Sequence, residues 1–215
     1  MGLFDFLKPA QKTYNTKIVS EIILADGIGG SFAKNDFVET WNKLNEVFPI
    51  DKSNDRLEGL LYTELIAARL MMSFLACREL RYISMNKSSA MLEQAFVKIA
   101  EKFFSEVEFE YSESLVELFQ YRRTSYTKAY EKSDSENKNM AMAMVFIEYL
   151  SNSYKNRPLL YEVPNSQKPW LNGVVSMNAI HNPTQEQIKF SLILATSMIY
   201  RANDLFSTNK CIIVD

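Results

Sequence analysis

At 215 residues, 47% of them apolar and 23% charged, the chain is long enough to bury a core of its own and has the balance of an ordinary globular protein, which excludes intrinsic disorder. A formal net charge of −2 gives no basic excess, so nucleic acid is not an expected partner and would need a local patch. Cys77 and Cys211 lie far apart with no Cys/His cluster around them, which excludes a disulfide framework and a structural zinc site; both read as small buried hydrophobes.

The opening, Met1 to Pro9, lacks the basic and long apolar regions of a signal peptide, and Phe6 stands where a myristoylation motif wants Ser or Thr. Met1-Gly2-Leu3-Phe4-Asp5 resembles the starts of many unrelated bacterial cytosolic proteins, and also short amphipathic peptides that lie on membranes. Residues 1–10 are therefore read as a short amphipathic segment that docks on the protein's own core, with lipid-surface contact through residues 2–8 as the lesser reading. The longest uncharged run in a helical segment, Phe190 to Tyr200, has 11 residues and is too short to span a bilayer. Cytoplasmic residence is the expectation.

Asn15 to Ala25 carries Ile18, Val19, Ile22 and Ile23 at helical spacing, and Gly27, Gly29 and Gly30 end it. Asp26 to Gly30 lacks the Lys-Ser/Thr of a phosphate loop and the alternating oxygen ligands of a calcium loop, so it reads as a helix stop. Asp36 to Phe48 predicts a short helix with Phe37, Trp41, Leu44 and Phe48 on one face, closed by Pro49.

From Leu60 to Arg157 there is no glycine and no proline, which predicts successive helices joined by short polar turns. The longest, about Asp55 to Met85, is apolar almost all round except near Glu58, Tyr62, Arg69 and Ser73, and should be central. Ala90 to Phe104 follows with Leu92, Ala95, Phe96, Ile99 and Phe103 as its stripe. Ser114 to Glu131 comes next, facing inward with Leu115, Leu118, Phe119, Tyr126, Ala129 and Tyr130. Met140 to Tyr154 turns Met140, Met144, Ile147 and Leu150 inward.

Residues 157–183 break this character: they hold four of the six prolines, Trp170 and the only histidine, His181. Leu159 to Val163 and Val174 to Met177 have the composition of a short hairpin inside this long loop. Thr184 and Gln187 form a capping box that starts the last helix, whose stripe is Ile188, Leu192, Ala195, Ile199 and Phe206. Cys211 to Asp215 reads as a short extended tail. The fold class is all-α, a single domain over residues 1–215 with about seven helices and the Pro-rich loop.

The sharpest local signal is charge on apolar faces. Arg122 shares an azimuth with Leu115, within about 20°, between Leu118, Phe119, Tyr126 and Ala129. On the central helix Glu64 and Arg78 align with Leu60, Met71 and Leu75; they sit roughly 21 Å apart along the axis, so each needs a partner elsewhere. Arg122 with Glu64 is the expected buried pair, because each relieves the other's desolvation; a polar cavity that binds a ligand is the rival reading. Tyr121, Arg122, Arg123, Tyr126, Lys128 and Tyr130 interleave aromatics with cations like a nucleic-acid platform, but Tyr121 and Lys128 are expected outward and Arg122, Tyr126 and Tyr130 inward, which speaks against one.

Glu110-x-x-Glu113 and Glu131-x-x-Asp134 resemble the paired carboxylates of all-α nucleotide pyrophosphohydrolases of the MazG type, which implies magnesium held beside a triphosphate. Read from the residues, these four lie in a connector and a turn, where solvated acids are the simpler account and no metal or cofactor is expected. No catalytic residue is identified. The reading is a cytosolic, bacterial-type helical protein that binds another protein as an adaptor, immunity or regulatory factor, with Trp170 and His181 as loop contacts; the alternative is a small-ligand-binding protein or a MazG-like hydrolase.

Overall fold

A stretch without glycine or proline has no cheap way to turn except at polar connectors, and helices succeed one another through it. The computed structural model describes residues 13–30, 33–48, 55–79, 86–107, 112–154, 183–207 and 212–213. These form β1 (Thr13–Tyr14), α1 (Thr16–Gly27), α2 (Lys34–Val47), α3 (Asp55–Glu79), α4 (Asn86–Glu106), α5 (Ser112–Lys132), α6 (Lys138–Tyr154), α7 (Gln185–Ser207) and β2 (Ile212–Ile213). The two strands pair in parallel, Thr13 with Ile212 and Tyr14 with Ile213. The all-α reading stands, and the proposed hairpin at 159–163 and 174–177 lies outside the described residues, as does the amphipathic segment 1–10.

Local chemistry sets the helix ends. Asn15 caps α1 by accepting the Ile18 N–H at 2.8 Å, and Gly29 leaves the helix at φ 73°, a conformation that costs glycine little. The Thr184–Gln187 box closes in both directions: the Gln187 N–H donates to the Thr184 hydroxyl at 3.2 Å and the Thr184 N–H to the Gln187 side chain at 3.0 Å.

From Leu61 to Cys77 every residue of α3 is buried except Tyr62, so this helix is the axis of the bundle. It packs against α1, α5, α6 and α7. Glu64 meets Arg122 and Arg78 meets Glu131, so α3 and α5 run in the same direction. Tyr121 meets Tyr149 while Tyr130 meets Lys138, which sets α6 antiparallel to α5; Phe146 with Phe190 and Asn139 with Thr196 set α7 antiparallel to α6. Phenylalanines fill the seam of α3, α4 and α5: Phe74 stacks on Phe96 at 4.3 Å between centroids, and Phe119 packs on Phe96 and Phe104.

Several faces differ from the sequence expectation. In α4 the buried line is Leu92, Phe96, Ala100 and Phe104, with Ala95, Ile99 and Phe103 at its margin, because α1 and α5 cover two sides of the helix. In α7 the buried line is Phe190, Ser191, Leu194, Ala195, Met198, Ala202 and Phe206, while Ile188, Leu192 and Ile199 are only partly covered. Met140, expected inward, is 39% exposed at the first turn of α6, where the bundle has begun to thin. Tyr121, expected outward, is buried because α6 lies against that side of α5.

Candidate functional site

Arg122 and Glu64 meet in the core between α5 and α3. The Arg122 Nε donates to Glu64 Oε2 at 2.7 Å and Nη2 donates to Oε1, a two-bond fork, with both side chains 2% exposed. The guanidinium carbon sits 3.3 Å from the centroid of the Tyr149 ring, so one face of the cation is covered by an aromatic ring while its edge holds the carboxylate. The Tyr149 hydroxyl in turn donates to Ser125 Oγ, tying α6 to α5. Burial pulls the Arg122 guanidinium towards the neutral form, but the charge and hydrogen bonds of Glu64 outweigh it and hold it above its ordinary range. Burial keeps the Tyr126 and Tyr149 phenols well above theirs, so both are neutral.

A second buried guanidinium escaped the sequence reading. Arg69 of α3 is 0% exposed, although it was placed on the polar side of the helix. Its Nε donates to the Gly27 carbonyl and its Nη2 to the Asp26 carbonyl, both at 3.1 Å, and Nη2 also donates to Asp36 Oδ2 at 2.9 Å. The Asp26 and Gly27 carbonyls lie at the C-terminal end of α1 and Asp36 in the first turn of α2, so cation and anion each sit where the helix dipole favours them. The backbone of Gly27 comes so close to Leu70 that a side chain there would overlap it. Arg201 of α7 completes the group, donating from Nε and Nη2 to the buried Asp26 carboxylate and lying 3.7 Å from Asp36. Desolvation lowers the Arg69 guanidinium despite Asp36, whereas the hydrogen bonds of Asp26 raise that of Arg201. Arg69 Nη1 is buried without a hydrogen-bond partner among the described residues.

Arg78 is not a buried charge. Its side chain is 18% exposed at the end of α3 and pairs at 3.1 Å with Glu131, itself 55% exposed. Asp134 is exposed in the turn after α5, and nothing brings it to Glu131 as a ligand pair. Glu110 and the side chain of Glu113 lie outside the described residues, and so do Trp170 and His181. Among the described residues no group of three or more His, Cys, Asp or Glu side chains is placed to hold a metal ion, and no helix is long and apolar enough to cross a membrane.

Two surface features remain. An open trough of about 400 Å³ runs between α4 and α5, lined by Glu93, Gln94, Val97, Lys98, Glu101 and Arg123. Arg123 lies 3.6 Å from Glu93 across it, and Glu101 accepts from the Gln120 side chain at 2.9 Å. On the outer face of α7, Ile193 is 57% and Tyr200 73% exposed. They are two turns apart and share an azimuth opposite the buried line.

Sequence reasoning also passed over Glu148, 3% exposed in α6. One signal would have found both missed residues: a lone charge inside a long apolar run, as in Leu65 to Met72 around Arg69 and Met140 to Leu150 around Glu148, whatever the azimuth. Comparisons with protein-family models, with curated proteins and with solved structures give no match to the chain.

Proposed function

We propose that the chain is a helical protein-binding module whose contact surface is the outer face of α7 together with the first turn of α6. The observation that carries this reading is the pair Ile193 and Tyr200, large apolar side chains on the helix face where solvent would favour polar ones. Exposed Met140 belongs to the same neighbourhood, because its neighbour Asn139 donates to Thr196 of α7 at 3.3 Å. Tyrosine suits a contact of this kind, with an apolar body, a polar tip and few rotamers to freeze. Adaptor, immunity or regulatory roles all fit such a surface, and a cytoplasmic site of action is part of the proposal.

The rival reading, a small-ligand-binding protein or a MazG-like hydrolase, draws less support. Its charged residues are engaged elsewhere, Glu64 with Arg122 and Glu131 with Arg78. A photo-crosslinking residue at position 200, compared with one at the exposed Lys128 of α5, tests the proposal in source cells. Crosslinks to a discrete protein from position 200, lost on Ile193→Asp with the melting temperature nearly unchanged, are the expected result. Equal crosslinking from both positions would sink it.

A further inference from the structure

We propose that Glu148 is a proton-controlled latch: the fold takes in this carboxyl as the neutral acid, and its ionisation loosens the packing of α6 on α5. From Val145 to Leu150 every residue of α6 is buried, and Glu148 stands among them 3% exposed with Oε2 shut off from solvent and lacking a hydrogen-bond partner among the described residues. A carboxylate left so would lose the hydration of that oxygen without replacement, which penalises the charged form. A protonated carboxyl escapes most of that cost.

Among the described residues, the elements packed on α6 supply no free counter-charge. From α5, Arg122 and Tyr121 face Glu148, but the Nε and Nη2 of Arg122 already grip Glu64 and its face is covered by Tyr149. From α3, Glu64 is taken up by Arg122, and Glu79 by Lys138 at the start of α6. The buried line of α7 offers only the Ser191 hydroxyl among apolar side chains, and its nearest charged residues, Glu186 and Lys189, are exposed. Within α6 the adjacent titratable group is Tyr149, kept neutral by burial. One guanidinium therefore faces two carboxyls, and Glu64 holds it by a fork that a second carboxylate cannot share on the same edge.

Burial accordingly pushes the Glu148 carboxyl up to about 7, with Arg122 only partly opposing the shift. Because the folded value lies above the ordinary 4.5, the folded chain binds the extra proton between those limits. Its contribution to stability is complete below that window and is lost as pH rises through it.

The test compares the wild-type chain with Glu148→Gln, a neutral side chain of the same shape, by denaturant unfolding at pH 5 and pH 8. The wild-type folding constant should fall by roughly 70-fold relative to the variant over that interval, the value given by a carboxyl moved from 4.5 to about 7. Parallel pH profiles would overturn the proposal. Carbon-13 NMR of the wild-type Glu148 carboxyl supplies a readout that needs no variant: a midpoint near 7 is expected, and one near 4.5 would overturn it. Amide exchange in α5 and α6 at pH 8, corrected for intrinsic rates, should be faster in wild type than in the variant; equal protection would remove the latch.

Discussion

Arg122 and Arg69 are both buried guanidiniums, yet they are held in opposite ways. Arg122 meets one fully buried carboxylate through a two-bond fork from α5 to α3 and lies against the Tyr149 ring of α6, so the ion pair itself is concentrated in two side chains. Arg69 spreads its hydrogen bonds over two carbonyls at the end of α1 and a carboxylate at the start of α2, and shares its anions with Arg201 from α7. The charge states follow: a buried anion raises Arg122, while Asp36, 33% exposed, does not fully offset the desolvation of Arg69. A concentrated pair is strong and brittle, whereas a distributed one is weaker per contact and has other partners to fall back on.

That contrast is broken or sharpened by substitution. The largest effect is expected at the concentrated pair: Arg122→Met alone should cost about 3 to 5 kcal/mol by stranding Glu64, Glu64→Leu less because Glu148 still faces the guanidinium, and the two together should recover much of the loss. Additive losses in the double-mutant cycle, measured by denaturant unfolding, would show that the pair is not a unit. Arg69→Met should cost less, about 2 to 3 kcal/mol, because Asp36 keeps Arg201 and solvent as alternatives while the two carbonyls lose their donor. A loss equal to that of Arg122→Met would erase the distinction. The smallest effect is expected at the surface, where Arg78→Met should change stability by about 1 kcal/mol or less and less still in high salt, since Glu131 is mostly solvated.

The same contrast explains what was legible in the sequence. Arg122 stood out because α5 is amphipathic: with Leu118, Phe119 and Tyr126 marking one face, a charge among them is an anomaly. On α3 no face is marked. Apolar residues run all round it, so Arg69 and Ser73 looked like a thin polar strip when they are buried like the rest. The capping box of α7 was readable because it is local, four residues long and fixed by side-chain chemistry. The faces of α4 and α7 were not, since each helix is covered from two sides and the buried arc is set by neighbours far away in the chain. Met140 belongs to the same failure, because an apolar residue on an open face is indistinguishable from core by composition alone.

The parallel pair of β1 and β2 has a consequence for the dynamics of the whole molecule. Two residues of ladder, joining points separated by nearly the full chain, cannot hold themselves together against the entropy of so large a ring. They persist only while the helices between them keep Thr13 and Ile212 in place. The amides of this ladder therefore form a late-closing, early-opening unit, and their hydrogen exchange would register subglobal openings anywhere along the bundle well before the core itself unfolds.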